Sequence, residues 1–211
     1  MRRHKGRIRA ANEQTILQAA EQVFAELGFK GATTAAIAER AGVPKANVHY
    51  YFATKEKLYR RVIEDICSAW FEAARTFDLD DDPAVALKTY IAAKMALSRS
   101  RPLGSRIWAM EVIRGAPVIE DYLATAVKDW LSHQEEVIRR WIAQGRLKSI
   151  EPKGLFYMIW ATTQHYADFA AQIEIMNGGR PLSDAQFTAA SAQVTEIILK
   201  GVGLSPAGGD R

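Results

Sequence analysis

The chain has 211 residues, of which 48% are hydrophobic and 25% charged, a balance typical of a globular protein with a buried core. This composition excludes a disordered, collagen-like or disulfide-framework protein, and no apolar run reaches the roughly 20 residues that a membrane span requires. The single cysteine, Cys67, cannot form an intrachain disulfide, so we expect a cytoplasmic protein.

Positive charge is concentrated at one end of the chain. Residues 1–61 contain 12 Lys or Arg and five Asp or Glu, whereas the other 150 residues contain 16 and 19. The basic residues that precede the first acidic one are Arg2, Arg3, Lys5, Arg7 and Arg9. The asymmetry predicts a polyanion partner for the N-terminal third, while the basic run itself fits either a nucleic-acid-binding arm or a solvated tail.

Helical periodicity runs through almost the whole chain and no segment alternates as a half-buried strand does, so the predicted fold class is all-α. The first predicted helix has Asn12 as its N-cap and ends at Gly28 in left-handed conformation. Its apolar stripe consists of Ile16, Ala20, Val23, Phe24 and Leu27.

Two short helices are predicted next, over residues 34–41 and 45–52. They are joined by a turn in which Gly42 permits left-handed geometry and Pro44 starts the next helix. Thr54 then caps a long fourth helix that extends to about Phe77 and contains the domain boundary.

Helix-breaking residues in the rest of the chain predict five further helices, which gives about nine in total. An acidic breaker at Asp80–Pro83 begins this part, and further breaks fall near residues 101–102, 115–117, 145–152 and 177–181. We therefore predict three parts: residues 1–61 as a basic N-terminal domain, 62–204 as a larger helical domain, and 205–211 as a disordered tail.

The two short helices form a predicted helix-turn-helix, with Val48 and Phe52 packing inward. An outward face that enters the major groove would consist of Lys45, Ala46, Asn47, His49 and Tyr50, with Tyr51 toward the DNA backbone. Asparagine suits adenine, lysine suits guanine and an alanine methyl can contact thymine. An ordinary helical hairpin with a polar outer face is the alternative interpretation of the same pattern.

A longer series of residues resembles the DNA-binding domain of TetR-family transcriptional repressors. The matching positions are Gly28-Phe29, Thr33-Thr34, Ile37-Ala38, Ala41-Gly42-Val43, Val48, Tyr51-Phe52, Thr54-Lys55-Glu56 and Leu58. The resemblance implies phosphate contacts from Thr34 and Lys55, both placed at helix N-termini that attract phosphate. Pro44 replaces a common capping serine and His49 a common tyrosine, so base preference is not carried over.

Polar and aromatic residues share one face of the otherwise apolar segment 157–169. Trp160, Gln164 and Asp168 recur every four residues, with Thr163 beside them. Such a face favours a small polar ring held by stacking and hydrogen bonds. A helix-packing surface with an internal hydrogen-bond network is the alternative.

This segment is also similar to that of pyrimidine-responsive members of the TetR family, as are Met110-Glu111, Gly115-Ala116-Pro117, Trp70 and the region 94–99. The resemblance implies a pyrimidine-like effector such as uracil. The residues implied to contact it are Trp70, Lys94, Trp108, Trp160, Thr163, Gln164 and Asp168.

The leading prediction is a ligand-responsive repressor that binds a palindromic operator as a homodimer formed through residues 152–175 and 183–202. A TetR-type repressor with an unrelated apolar or aromatic effector and a ligand-independent DNA-binding protein are the alternatives. An enzyme is not predicted, because we find no nucleophile–base pair or phosphate-cradling glycine loop. Neither a cofactor nor a metal is predicted, since His165 and Asp168 lack evident further ligands.

Overall fold

The computed structural model describes residues 2–75, 77 and 82–204, with side chains from Arg9 onward. Ten α-helices and no strand occupy these residues, which confirms the all-α prediction. In chain order they are α1 (Arg2–Gly31), α2 (Thr34–Ala41), α3 (Lys45–Tyr51), α4 (Lys55–Ala73), α5 (Pro83–Ser100), α6 (Pro102–Ile113), α7 (Glu120–Tyr122, a π-helical turn at Leu123–Val127, and Lys128–Ala143), α8 (Pro152–Asp168), α9 (Ala170–Met176) and α10 (Asp184–Gly201).

Helix α1 differs from its prediction at both ends. It begins at Arg2, so Asn12 lies inside the helix rather than capping it, and the basic run forms the first turns because Arg, Lys and Ala favour helix. Gly28 has the predicted positive φ of 67°, but helical geometry resumes beyond it. Leu27, beside this kink, is 54% exposed, whereas the other residues of the predicted stripe are buried.

The fourth helix is shorter than predicted. Helix α4 ends at Ala73. Phe77 lies beyond the end of the helix, and its side chain is buried in the core. Of the predicted acidic breaker, Asp80 and Asp81 lie outside the described residues. Asp82 caps α5, since its Oδ1 accepts a hydrogen bond of 2.7 Å from the backbone N–H of Ala84.

The predicted helix over residues 152–175 is two helices. Phe169 leaves helical geometry, with φ −113° and ψ 27°, and separates α8 from α9. This break accounts for the difference between nine predicted helices and the ten found in the described parts of the chain. The last predicted helix is confirmed, because Ser183 caps α10 through a reciprocal capping box with Gln186. The predicted tail, 205–211, lies outside the described residues.

Packing divides the chain into two compact units. The first combines the residues up to Cys67 with Leu103–Glu120, and the second combines Ser68–Pro102 with the residues from Asp121 onward. The division falls within α4, somewhat after the sequence-derived boundary at 61/62. It also places nearly all of α6 with the N-terminal helices, which the sequence-derived boundaries do not.

Within the first unit, α6 is held against α4 at two points. A Cβ added to Gly104 would lie 3.1 Å from Cγ1 of Ile66, so glycine permits a close approach. Tyr59 donates its phenolic proton to Oε2 of Glu111 at 3.1 Å, and Oε1 accepts from the N–H of Val118 at 2.7 Å. Burial raises the pKa of the Tyr59 phenol well above its usual range, and the Glu111 carboxylate adds to the shift.

Within the second unit, α5 packs against α8 and α10 around an aromatic core. The ring of Phe77 lies 5.3 Å from that of Tyr90, 5.7 Å from Trp141 and 5.8 Å from Phe156. Burial of these large rings supplies most of the apolar area that stabilises a small helical domain. None of the helices in the described ranges has the length and apolar composition to cross a bilayer.

Candidate functional site

Helices α2 and α3 are joined by the turn that the sequence predicts. Thr33 caps α2 by accepting a hydrogen bond from the N–H of Ala36 at 3.1 Å. Gly42 takes left-handed geometry, with φ 65° and ψ 30°, and the N–H of Val43 bonds back to the carbonyl of Ala38 at 3.0 Å. These bonds set the angle at which α3 leaves α2.

The outer face of α3 carries the residues predicted to contact base edges. Val48 and Phe52 are buried, at 0% and 7% exposure, which confirms them as the inward-facing pair. The exposed predicted residues are Lys45, Ala46, His49 and Tyr50, whereas Asn47 and Tyr51 are half-buried. The helix therefore presents donors, acceptors and a methyl group on one side, as groove reading requires.

Neighbouring side chains extend this exposed face beyond α3. Oγ1 of Thr34, at the N-terminus of α2, lies 3.5 Å from Nε2 of His49. The guanidinium of Arg9, from α1, lies 5.8 Å from the ring centroid of Tyr50. Three helices thus contribute polar groups to one surface, which we call the recognition surface: Thr34 with the exposed residues of α3 and Arg9.

An exposed ion pair joins α1 to α2. Arg40 of α2 donates to both carboxylate oxygens of Glu26 of α1 at 2.9 Å. These hydrogen bonds hold the pKa of Glu26 below its usual range. A bidentate pair fixes orientation as well as distance, so it maintains the angle between α1 and α2.

The ammonium of Lys55 forms hydrogen bonds within the protein. Its Nζ donates to the backbone carbonyls of Phe29 at 2.7 Å and Ala32 at 2.9 Å, beyond the kink at Gly28. The ammonium also lies 4.6 Å from the ring centroid of Phe29. Lys55 therefore caps the end of α1, and only one of its three N–H donors remains for the phosphate contact, which stays a prediction. Thr54 caps α4 as expected, accepting from the N–H of Lys57 at 3.1 Å.

In the second unit, the predicted polar face of α8 meets three polar residues of α5. Nε1 of Trp160 donates to the hydroxyl of Tyr90 at 2.9 Å. Nζ of Lys94 donates to Oε1 of Gln164 at 3.1 Å. Oγ of Ser98 donates to the backbone carbonyl of Thr163 at 2.7 Å. These three bonds form a ladder between the two helices, which we call the α5–α8 ladder.

Lys94 is the most unusual member of the ladder. Its side chain is 1% exposed, and its ammonium lies 3.9 Å from the ring centroid of Trp70, on α4. A cation held over an indole face is attracted by the ring's quadrupole, which offsets part of the cost of burial. The structure thus brings together Lys94, Trp70 and Gln164 as the sequence predicts.

The other predicted contact residues differ in their placement. Thr163 is fully buried, and its hydroxyl donates to the carbonyl of Ile159 at 2.7 Å. Asp168 is half-buried at the last turn of α8. Trp108 belongs to α6 in the first unit, so its predicted ligand contact stays a prediction.

Tyr90 and Ser98 are functional candidates that the sequence argument did not include. They stand four residues on either side of Lys94 on α5, a helix that is otherwise mostly apolar. Polar groups at this spacing share one face of a helix. That periodicity is the signal that could have identified them.

Comparisons with known proteins agree with this geometry. The family model described as bacterial regulatory proteins, tetR family, matches residues 16–62, and the model described as YcdC-like protein, C-terminal region, matches residues 63–205. The chain is 38% identical over 198 residues to the HTH-type transcriptional regulator RutR of Escherichia coli (strain K12), covering 94% of this chain and 93% of RutR.

Solved structures share the fold. A transcriptional regulator from Streptomyces coelicolor superposes with a TM-score of 0.71 at 25% identity, over 90% of this chain and 97% of that one. AibR, solved in complex with isovaleryl coenzyme A and operator DNA, gives a TM-score of 0.69 at 14% identity, over 92% and 98%. The predicted family is therefore confirmed: the chain belongs to the tetR family of bacterial regulatory proteins and is a helix-turn-helix transcriptional regulator.

Proposed function

We propose that this chain is a cytoplasmic, homodimeric repressor that a small planar effector of the pyrimidine class, such as uracil, releases from a palindromic operator. The observation that carries the proposal is Lys94, a buried ammonium held between an indole ring and an amide oxygen. Buried ionisable groups with specific partners are concentrated at functional sites. The similarity to the HTH-type transcriptional regulator RutR over both units supports the part of the proposal that concerns DNA-binding regulation.

The Lys94–Gln164 pair matches the edge of a pyrimidine. A ring carbonyl accepts from an ammonium, and a ring N–H donates to an amide oxygen. Lys94 and Gln164 hydrogen-bond each other at 3.1 Å, and a bound pyrimidine exchanges that bond for two bonds to itself. Trp70 and Trp160 supply aromatic faces for stacking, and Thr163 and Asp168 lie on the same helix as Gln164.

The recognition surface contacts the operator in this proposal. Lys45, Ala46, Asn47, His49 and Tyr50 approach base edges, and the N-terminus of α2 at Thr34 binds phosphate, as the helix dipole favours. Tyr51 and Lys55 are assigned to the DNA backbone. The exposure of α3 supports the base contacts, while the capping role of Lys55 leaves it a single donor.

Dimerisation through α8 to α10 is supported by apolar side chains that these helices expose. The exposed large residues are Tyr157, Met158, Phe169, Ile175, Met176 and Ile197. Apolar surface concentrated in this way typically marks a protein interface. A two-fold axis through it would place two copies of α3 on successive turns of DNA.

Helix α4 links effector and DNA in this mechanism. It begins at Lys55, beside the end of α1, and carries Trp70 in its last turn. An effector that displaces Trp70 rotates the helix, and in a dimer a small rotation changes the separation of the two recognition helices. Because linkage is reciprocal, DNA weakens effector binding by the same factor, for which about 1–3 kcal/mol is typical.

The test is operator affinity with and without uracil for the wild type, Gln164→Ala and Gln144→Ala. Uracil should weaken operator binding by the wild type and by Gln144→Ala, because Gln144 is exposed at the end of α7. Gln164→Ala should bind operator and ignore uracil. No response of the wild type to uracil would contradict the pyrimidine assignment. A response to apolar or aromatic compounds instead would favour a repressor with an unrelated effector.

Light scattering tests the dimer, and a monomer at micromolar concentration would contradict it.

A further inference from the structure

His49 lies where two helices of the recognition surface meet. Its ring is exposed on α3, and its Nε2 lies 3.5 Å from Oγ1 of Thr34, the first residue of α2. This distance is the outer limit of a hydrogen bond, and a small rotation of the exposed imidazole shortens it. Within the described part of the chain, His49 has no other hydrogen-bond or ion-pair partner. Thr34 is therefore the group through which the protein acts on this ring.

The direction of the hydrogen bond depends on the protonation of the imidazole. A neutral ring carries one N–H, so Nε2 either donates to the hydroxyl of Thr34 or accepts its proton. An imidazolium carries an N–H on both nitrogens, so Nε2 can only donate to Oγ1. The hydroxyl proton of Thr34 is then left for an acceptor outside the protein. Protonation of His49 therefore makes Thr34 an outward donor.

Thr34 is placed where such a donor meets DNA. The cap of α2 is provided by Thr33, whose Oγ1 accepts from the N–H of Ala36, so the hydroxyl of Thr34 is not needed for the cap. The positive end of the helix dipole favours an anion at this terminus. The oxygens of a DNA phosphate accept hydrogen bonds and donate none. A bound phosphate therefore selects the state in which the hydroxyl proton of Thr34 points outward.

The charged residues nearest to His49 along its own helix and on α1 are mostly cationic. Lys45 lies one turn earlier on α3. The guanidinium of Arg9, from α1, lies 5.8 Å from the ring centroid of Tyr50, the residue that follows His49. Glu13 follows Arg9 by one turn of α1. With two of these charges positive and one negative, the anion that most favours protonation of His49 is a DNA phosphate.

The other charged residues of the neighbouring helices have different positions or partners. Glu39 of α2 is five residues beyond Thr34, which places it roughly 140° around the helix. Glu26 of α1 is bound in the ion pair with α2, and Lys55 of α4 donates to carbonyls at the end of α1. None of these three forms an ion pair or hydrogen bond with His49 in the described part of the chain. The protonation of His49 is therefore left to respond to DNA.

We propose that His49 is a positioning residue that couples operator binding to proton uptake: its protonated ring donates to Thr34, whose hydroxyl donates to a DNA phosphate. The proposal rests on the phosphate contact that the proposed function assigns to Thr34. The proton comes from solvent and stays on the imidazole. Because binding and protonation favour each other, operator affinity rises as the pH falls through the range in which histidine titrates.

The experiment is the operator affinity of the full chain between about pH 8 and about pH 6 at constant salt, measured by fluorescence anisotropy. The wild type should bind about 3- to 10-fold more tightly at the lower pH, the range expected for one hydrogen bond gained. His49→Gln keeps a side-chain donor but does not titrate, so it should lose this pH dependence. His133→Gln, at an exposed histidine of α7, is the matched control and should retain it.

Variants of Thr34 separate positioning from a direct effect of the charge of His49 on DNA. Thr34→Ser keeps the hydroxyl and should retain the pH dependence. Thr34→Val keeps the shape without the hydroxyl, so it should bind more weakly at about pH 6 and lose most of the pH dependence.

The proposal is overturned if either His49→Gln or Thr34→Val keeps the pH dependence of the wild type. The two Thr34 results also separate this proposal from the function on which it rests. Wild-type affinity of Thr34→Val at every pH would contradict the phosphate contact itself. Weaker binding of Thr34→Val with an unchanged pH dependence would contradict only the role of His49.

Discussion

Helix α3 and the α5–α8 ladder place polar side chains in opposite environments. On α3, Lys45 and His49 are exposed, and the proposed function assigns both to DNA. In the ladder, Lys94 and Thr163 are buried, and their partners come from another helix or from the preceding turn. An exposed polar residue can be interpreted from its place on one helix, whereas a buried one can be interpreted only with its partner.

Substitutions on α3 should change DNA binding and leave stability unchanged. Lys45→Ala and Asn47→Ala should each weaken operator binding by about 1–3 kcal/mol and relax base preference, because each removes a group assigned to a base edge. Fluorescence anisotropy with the operator and its single-base variants measures both effects. Lys128→Ala, an exposed lysine of α7, is the control and should change neither. Unchanged affinity in both α3 variants would remove α3 from the base-reading role.

A ladder substitution should instead reduce stability. Tyr90→Phe leaves the half-buried indole N–H of Trp160 without its acceptor and should lower the free energy of unfolding by about 1–3 kcal/mol. Tyr50→Phe is the matched control, because Tyr50 is 70% exposed, and its loss of stability should be much smaller. Urea denaturation measures the difference. Equal losses in the two variants would show that the ladder bond contributes little.

Lys55 belongs to both sides of the comparison, since it caps α1 and is predicted to contact phosphate. Lys55→Ala should weaken binding to all DNA sequences alike and reduce the slope of log affinity against log salt by about one. It should also lower stability by about 1 kcal/mol through the lost bonds to Phe29 and Ala32. Titrations at several salt concentrations and a melting curve separate the roles. A loss of stability with an unchanged salt slope would leave Lys55 as a cap only.

The smallest effect concerns the buried Tyr59–Glu111 contact at alkaline pH. The unfolded chain releases the phenolic proton near pH 10, whereas the folded state retains it because burial raises the pKa of Tyr59. The folded state then binds more protons, so the stabilising contribution is complete below about pH 10 and is lost as the pH rises further. Urea midpoints between pH 8 and 11 should fall more steeply for the wild type than for Tyr59→Phe. The same pH dependence of the urea midpoint in both proteins would contradict the raised pKa of Tyr59.

Local sequence signals predicted much of the fold and of the recognition surface. The bounds of α2, the turn at Gly42, the cap at Thr54 and the inward pair Val48 and Phe52 all follow from residues within about one helical turn. Caps, glycine turns and the 3.6-residue period act over this distance. The same signals missed the break at Phe169, where no glycine or proline marks the end of α8.

The sequence by itself therefore determined the helices, the turn between α2 and α3 and the residues that α3 exposes. Only the tertiary structure decided that α6 packs with the N-terminal helices, that Lys55 caps α1, and that Thr34 lies beside His49. It also paired Lys94 with Gln164, 70 residues away. The physical reason is distance along the chain: helix periods and caps depend on near neighbours, whereas the partner of a buried polar group is chosen by how whole helices pack.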